Sequence, residues 1–208
     1  MYINPYSREK DEATLLEFVR LHPFGMLVTA RENVPTATHV PFLPAVEDGK
    51  TVLRTHLARA NGQWKGLDGQ TDVLVVFGGP HAYISPRWYD HVNVPTMNYV
   101  AVHAYGKPRL VEDSAAVHAL LKSQIEQFET DPAAYHIGTL PEKYLADQMR
   151  GLVALEITVD RWEGNFKLSQ NRDEKNYRNI VAELGKTGNP TGITEAMQRV
   201  YEARGYKH

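Results

Sequence analysis

The chain has 208 residues, 42% of them apolar and 23% charged, with no cysteine and a formal charge of −2. That composition predicts a soluble globular protein with a sizeable core, as one domain or as two small ones, and the lack of cysteine excludes disulfides, thiolate metal ligands and a cysteine nucleophile, which makes a cytoplasmic location the simplest reading. No apolar run reaches the roughly 18 residues of a membrane helix, the polar N-terminus is unlike a secretory signal, and the charge supplies no basic stripe for displacing counterions from nucleic acid.

In chain order, a first helix is expected after Ser7 as its cap, burying Leu15, Leu16 and Val19 and stopping at Pro23. Residues 24–30 and 34–44 read as strands of a hairpin turned by "REN", and 51–57 as a further strand after "EDGK". The apolar run 72–79 suits a central strand. Residues 96–111 alternate, with Asn98, Val100, Val102 and Ala104 on one face and Tyr99, Ala101, His103 and Tyr105 on the other. Helical spacing over 114–129 aligns Val117, Leu120, Leu121, Ile125 and Phe128. A long strand at 151–164 puts Val153, Leu155, Ile157 and Val159 on one face. A helix at 174–184 carries Tyr177, Ile180, Val181 and Leu184 and ends at Gly185. The tail 198–208, with Arg199, Arg204 and Lys207 among acidic residues, reads as a solvated helix. So many long strands with turn-like connections predict a mainly β fold, an antiparallel sheet closing into a barrel with peripheral helices.

Four stretches have the composition of a binding site. In "THLARANGQWKGL" (55–67) a strand gives way to a short helix start, where exposed N–H groups, Arg59, Thr55 and Asn61 suit a phosphate; a plain turn with Arg59 in solvent explains the same residues. "GGPHAYISPRWY" (78–89) offers a glycine pair for close backbone approach and Pro80 to interrupt strand pairing. There His81, Tyr83 and Ser85 share a face if the strand is regular, which fits either the wall of a flat ligand or an aromatic barrel end. Asn98, with Thr96, Tyr99 and His103 on its strand, needs hydrogen bonds if buried. "FKLSQNRDEKN" (166–176) gathers Lys167, Ser169, Gln170, Asn171 and Arg172, as ligand donors or as the approach to a helix capped by Asn171 or Asp173. His39, His56, His81, His91 and His103 lack ligand spacing, so no metal is expected. Neither Ser85 nor Ser169 sits in a nucleophile elbow.

Together "MYINPYS", "THLARAN", "GPHAYISPRWY", "VPTMNYVAVHAYG" and "FKLSQNR", in this order over nearly the whole chain, resemble the PaiB-type family of FMN-binding negative transcriptional regulators; Met97 stands where the family pattern has tryptophan. The resemblance implies a single FMN-binding split β-barrel domain over 1–208 with a helical C-terminal extension, working as a homodimer that holds FMN between subunits. By the same likeness Thr55, His56, Ala58, Arg59 and Asn61 grip the flavin phosphate. His81 and Tyr83, with Ser85, lie along the flavin, while Trp88 and Tyr89 pack its rim. Asn98, Lys167, Ser169, Gln170 and Asn171 approach it, some of them from the other subunit. The implied function is a flavin-linked regulator; the alternative is a flavin-dependent oxidoreductase acting on a small molecule without direct DNA binding. DNA stays open as a partner without support from the charge, and no residue is assigned to catalysis.

Overall fold

The structure, a computed structural model, describes residues 1–188 and 191–203. Among them are eight strands and five α-helices: β1 (Arg8–Glu9), α1 (Glu12–Leu21), β2 (Phe24–Arg31), β3 (Val34–Pro41), β4 (Leu43–Glu47), β5 (Lys50–Ala58), β6 (Val73–Ile84), β7 (Thr96–Val111), α2 (Ser114–Phe128), α3 (Glu142–Arg150), β8 (Leu152–Lys167), α4 (Glu174–Lys186) and α5 (Ile193–Ala203). The strands form one sheet in the order β3-β2-β6-β7-β8-β5-β4, with β1 paired to β8. The registered pairs of β2, β3, β4, β5 and β8 are antiparallel. The expected mainly antiparallel sheet with peripheral helices is the fold.

The chain divides into two compact units: a first of Met1–Leu15, Gly78–Val102 and Glu163–His208, and a second of Leu16–Phe77 and His103–Trp162. In the second, two hairpins follow from two-residue turns. Glu32 and Asn33, at φ 52° and 64°, join β2 to β3, and Asp48 and Gly49, at φ 48° and 77°, join β4 to β5. Turns with φ positive at both positions match the right-handed twist of paired strands. The core of this unit is built from Leu27, Phe42, Leu53, Leu57, Val75, Phe77, Leu155 and Ile157, all essentially inaccessible. Burying each such side chain contributes about 1.5–3 kcal/mol. Phe42 meets Phe77 edge-on at 5.5 Å between centroids. It sits at the corner where the expected single strand 34–44 breaks into β3 and β4. Val111, Val117, Leu120 and Ala154 form a satellite cluster under α2. In the first unit, α4 and α5 bury Tyr177, Ile180, Leu184, Ile193 and Met197, and the Tyr177 hydroxyl donates to the Met197 carbonyl at 2.5 Å.

Several expected boundaries move. Ser7 does not cap α1: it closes a 3-10 turn, Pro5–Ser7, whose N–H at Tyr6 is accepted by Asn4. Asp11 takes the capping role, accepting from the Thr14 N–H at 3.0 Å and its hydroxyl at 2.6 Å. These bonds hold the Asp11 carboxyl below its ordinary range. Leu15, Phe18 and Val19 are the buried residues of α1, and Leu16 is half-buried.

Pro80 does not end β6, which runs on to Ile84. The strand instead changes the face it buries at the glycine pair: Val73, Val75 and Phe77 are buried before it, Pro80 and Ile84 after it. Phe128 is exposed in the last turn of α2, and Gln124 is buried in the stripe. Gly185 lies inside α4, whose C-cap is Thr187, while Asp173 is the N-cap. The tail helix is packed rather than solvated, through Ile193, Met197 and Tyr201 at four-residue spacing. Arg199 is exposed, and Arg204 and Lys207 lie outside the described residues. Among the described residues no helix is long and apolar enough to cross a membrane.

Candidate functional site

In the first unit, the start of β7, the N-terminal turn and the chain leaving β8 enclose a cavity of about 170 Å3. The sequence makes this wall by an unfavourable local conformation. β8 ends at Lys167, and Ser169 follows at φ 62°, in the left-handed region that side-chain-bearing residues seldom occupy. Three sets of bonds hold it there. Gln170 folds back on the backbone, accepting from the Leu168 N–H at 2.7 Å and donating to the Phe166 carbonyl. The Arg172 N–H donates to the Ser169 carbonyl at 3.0 Å. The buried Asn98 amide and the Ser169 hydroxyl exchange bonds, Nδ2 donating to Oγ at 3.0 Å and Oγ donating to Oδ1 at 3.1 Å. The polar residue that β7 carries into an apolar face is thereby satisfied.

The groups that this turn presents to the cavity are cationic. Lys167 Nζ donates to Thr96 Oγ1, and burial, with the nearby Arg172 charge as second cause, holds its ammonium below the usual lysine value. The Arg172 guanidinium lies 4.8 Å from the centre of the Tyr89 ring. Tyr89, only 9% exposed, has a hydroxyl with no hydrogen-bond partner among the described residues. An unpaired buried polar group costs about 1–3 kcal/mol, so a partner for this hydroxyl would be stabilising. No Asp or Glu lines the cavity. Two cations, a free hydroxyl and the exposed Asn171 amide fit an electron-rich ligand oxygen, such as FMN carries on its phosphate and its pyrimidine carbonyls. The volume falls short of the roughly 300–1,000 Å3 typical of whole small-molecule pockets, so the cavity suits part of such a ligand.

His81 and Tyr83 lie on the exposed face of β6, and both rings are open to a ligand. The His81 backbone is fixed by Thr191, whose hydroxyl donates to the His81 carbonyl at 2.7 Å. Ser85 does not share their face. It lies beyond the end of β6, is buried, and caps the 3-10 turn Pro86–Trp88 by accepting from the Arg87 N–H at 3.3 Å. Tyr89, expected at a rim, lines the cavity. Arg172 lines it too, 83 positions along the chain from Tyr89, and no local pattern in the sequence links the two.

In the second unit, the "THLARAN" residues are gathered where β5 ends, and most of their polar atoms are already engaged. Thr55 is buried and donates to the Pro41 carbonyl at 2.7 Å. The His56 ring meets Gln124 Oε1 at 2.8 Å. Asn61 caps the 3-10 turn Gly62–Gly66, accepting from the Gln63 N–H at 3.0 Å and donating to Thr38 Oγ1 at 2.9 Å. Ala58 is exposed. Arg59 is not loose in solvent: its backbone N–H donates to the Gly151 carbonyl at 2.8 Å, its Nε to Arg150 at 2.8 Å and its Nη2 to Leu152 at 2.9 Å. It therefore clamps the junction of α3 and β8, with Nη1 left for a further acceptor. Among the described residues no group of three or more His, Cys, Asp or Glu side chains could hold a metal ion.

Residues 1–161 match the family model described as "Putative FMN-binding domain". A Bacillus subtilis relative, "Protease synthase and sporulation protein PAI 2", is 36% identical over 192 residues, covering 91% of this chain and 92% of the relative. Among solved structures, the flavocytochrome Anf3 from Azotobacter vinelandii superposes with a TM-score of 0.61 at 14% identity, covering 85% of this chain and 78% of that one. An FAD- and heme-binding protein from Mycobacterium smegmatis gives a TM-score of 0.57 at 15% identity over 77% and 73% of the two chains. At such identities the structural likeness establishes the fold, a split β-barrel, and the sequence matches establish kinship. The family match stops before the turn that carries Lys167 and Arg172.

Proposed function

The chain belongs to the PaiB-type family of FMN-binding proteins, and on that premise we propose that it is a flavin-linked regulator whose signal is the state of its bound FMN, read by a partner rather than through a DNA-binding surface of its own. The observation that carries the reading is the carboxylate-free, cationic cavity with the unpaired Tyr89 hydroxyl, a ready-made ligand site in a chain of net charge −2. When bound, FMN supplies the electron and hydride chemistry that no side chain here offers. The chain's own residues bind and orient. In the first unit Lys167 and Asn171 would donate to ligand oxygens and His81 and Tyr83 would lie along a ring system; in the second, Arg59 Nη1 would be the donor for a phosphate. Thr55, His56, Ala58 and Asn61 would shape the turn around Arg59, as Asn98, Ser169 and Gln170 would shape the turn around Lys167.

A homodimer with the flavin shared between copies is part of the proposal. Its support is the exposed apolar surface at the mouth of the cavity, where Tyr6 is 70% and Val94 69% accessible. Sedimentation of the purified chain should give twice the monomer mass, and a monomer that retains FMN would overturn the shared site. The second reading, an oxidoreductase acting on a small acid, is favoured by the same cationic lining.

The deciding experiment is titration of the purified chain with FMN, followed by flavin absorbance and thermal shift, alongside a mobility-shift assay with promoter-like DNA at low salt. Tight FMN binding without a DNA shift is expected. A shift that collapses steeply with added salt would instead mean direct reading of DNA. Arg59→Ala should weaken FMN binding by about tenfold or more, the worth of one charge-assisted hydrogen bond. The variant also loses the bonds to the Arg150 and Leu152 carbonyls, so a lower Tm is expected and FMN affinity is read well below it. Unchanged FMN affinity would remove Arg59 from the phosphate contacts.

A further inference from the structure

We propose that Arg172, Lys167 and the Tyr89 hydroxyl form an oxyanion subsite, one that takes a phosphate or carboxylate group. The inference rests on the flavin reading only for which molecule carries that group.

The argument is one of donors already spent and donors left over. Among the residues lining the cavity, Asn98 and Ser169 satisfy each other, and Gln170 is consumed at both ends by the backbone of its own turn. These three build the wall rather than touch what lies against it. What remains is Lys167, Arg172 and Tyr89, with the exposed Asn171 amide beside them. Lys167 gives one of its three N–H groups to Thr96. Among the described residues no carboxylate pairs with Lys167 or Arg172, although the chain holds 25 acidic residues and the cations that follow on α4 are paired: Lys175 meets Asp90 at 2.9 Å and Arg178 meets Glu174 at 2.6 Å. Two like charges facing one cavity destabilise each other, which is why Arg172 contributes to the lowered basicity of Lys167. A bound anion removes that cost and pairs the Tyr89 hydroxyl in the same event. The planar guanidinium supplies two parallel N–H donors, the geometry that phosphate and carboxylate accept best. Its carbon lies 4.8 Å from the centre of the Tyr89 ring, a cation–π contact that keeps the fork beside that ring. The volume, about 170 Å3, holds such a head group.

Two sources carry this chemistry: the phosphate of FMN, or the acid group of a separate small molecule. The test uses the full chain with Arg172→Gln and Tyr89→Phe, and Arg172→Lys as the charge-keeping control. Binding of FMN, of riboflavin (which lacks the phosphate) and of inorganic phosphate to the FMN-loaded protein is measured by calorimetry at constant ionic strength. If the group is the flavin's own, both variants lose at least about tenfold in FMN affinity and nothing in riboflavin affinity, with Arg172→Lys intermediate. If it belongs to another molecule, FMN affinity is unchanged and the holoprotein loses its phosphate binding in both variants. Either result supports the subsite. Variants that alter neither the FMN-to-riboflavin ratio nor phosphate binding overturn it. Failure of the flavin reading looks different: the parent chain binds neither flavin, while loss of phosphate binding from the unloaded variants still reports the subsite. Tyr89→Phe removes one oxygen and keeps the packed ring, so its outcome does not hinge on folding.

Discussion

Gly106→Ala is expected to cost about 3 kcal/mol or more, at the upper end of what overpacking a core imposes. A Cβ on Gly106 would stand 2.0 Å from the Thr158 carbonyl oxygen, 2.8 Å from its carbon and 3.1 Å from Val159 Cα. All three are backbone atoms of β8, the strand beside β7. A side-chain tip could rotate away from the new methyl, but a strand held by its ladder cannot do so without shifting its neighbours. In a chain of this size the loss corresponds to a fall in Tm of roughly 6–12 °C. Gly78→Ala is the matched control. Nothing lies within 4 Å of a Cβ at that position, so the change should be neutral or stabilise by up to about 1 kcal/mol through reduced freedom of the unfolded chain. Urea midpoints of the two variants decide the matter. Equal midpoints would mean that β7 and β8 do not approach so closely at Gly106.

The strand with the cleanest alternation was legible from residue order. β7 occupies the expected residues 96–111, and Asn98, Val100, Val102 and Ala104 point inward as the alternation requires. The two hairpins were legible because their turns are local. Less was visible where two local solutions compete. The segment from Asn4 to Asp11 offers several capping side chains, and the helix starts at the last of them because Pro5–Ser7 is drawn into a turn and Arg8–Glu9 pair with β8. The face change in β6 falls at a glycine pair that has no side chain to announce it. In α3 only Leu145 and Met149 are even half-buried, so the helix leaves almost no apolar stripe to read.

The family resemblance grouped Lys167, Ser169, Gln170 and Asn171 without distinguishing roles. Whether a polar residue supports the wall or faces the ligand depends on partners far away in sequence: Ser169 lies 71 positions from Asn98, and Arg172 83 from Tyr89. Composition marked Asn98 as a group needing a partner. Only the fold supplies that partner.

That division of roles makes Asn98→Leu the second large effect. Leucine fills a similar volume on β7 but leaves the buried Ser169 hydroxyl without either of its bonds, and Ser169 still has to hold φ at 62°. Losing the amide and stranding the hydroxyl should cost about 2–3 kcal/mol, seen as a lower urea midpoint with an unchanged slope. Adding Ser169→Gly should recover most of that loss, since glycine adopts positive φ freely and removes the stranded hydroxyl. Binding should not recover with it. A glycine turn no longer anchored to β7 has no reason to hold Lys167 and Arg172 at a fixed separation, so the double variant should fold nearly as well as the parent and bind the anionic ligand at least about tenfold more weakly. A double variant that regains both stability and affinity would mean that the Asn98–Ser169 pair only fills the core. One that regains neither would mean that the left-handed turn depends on more than this pair. Stability restored without binding is the signature of a wall that aims the cations rather than contacting the ligand itself.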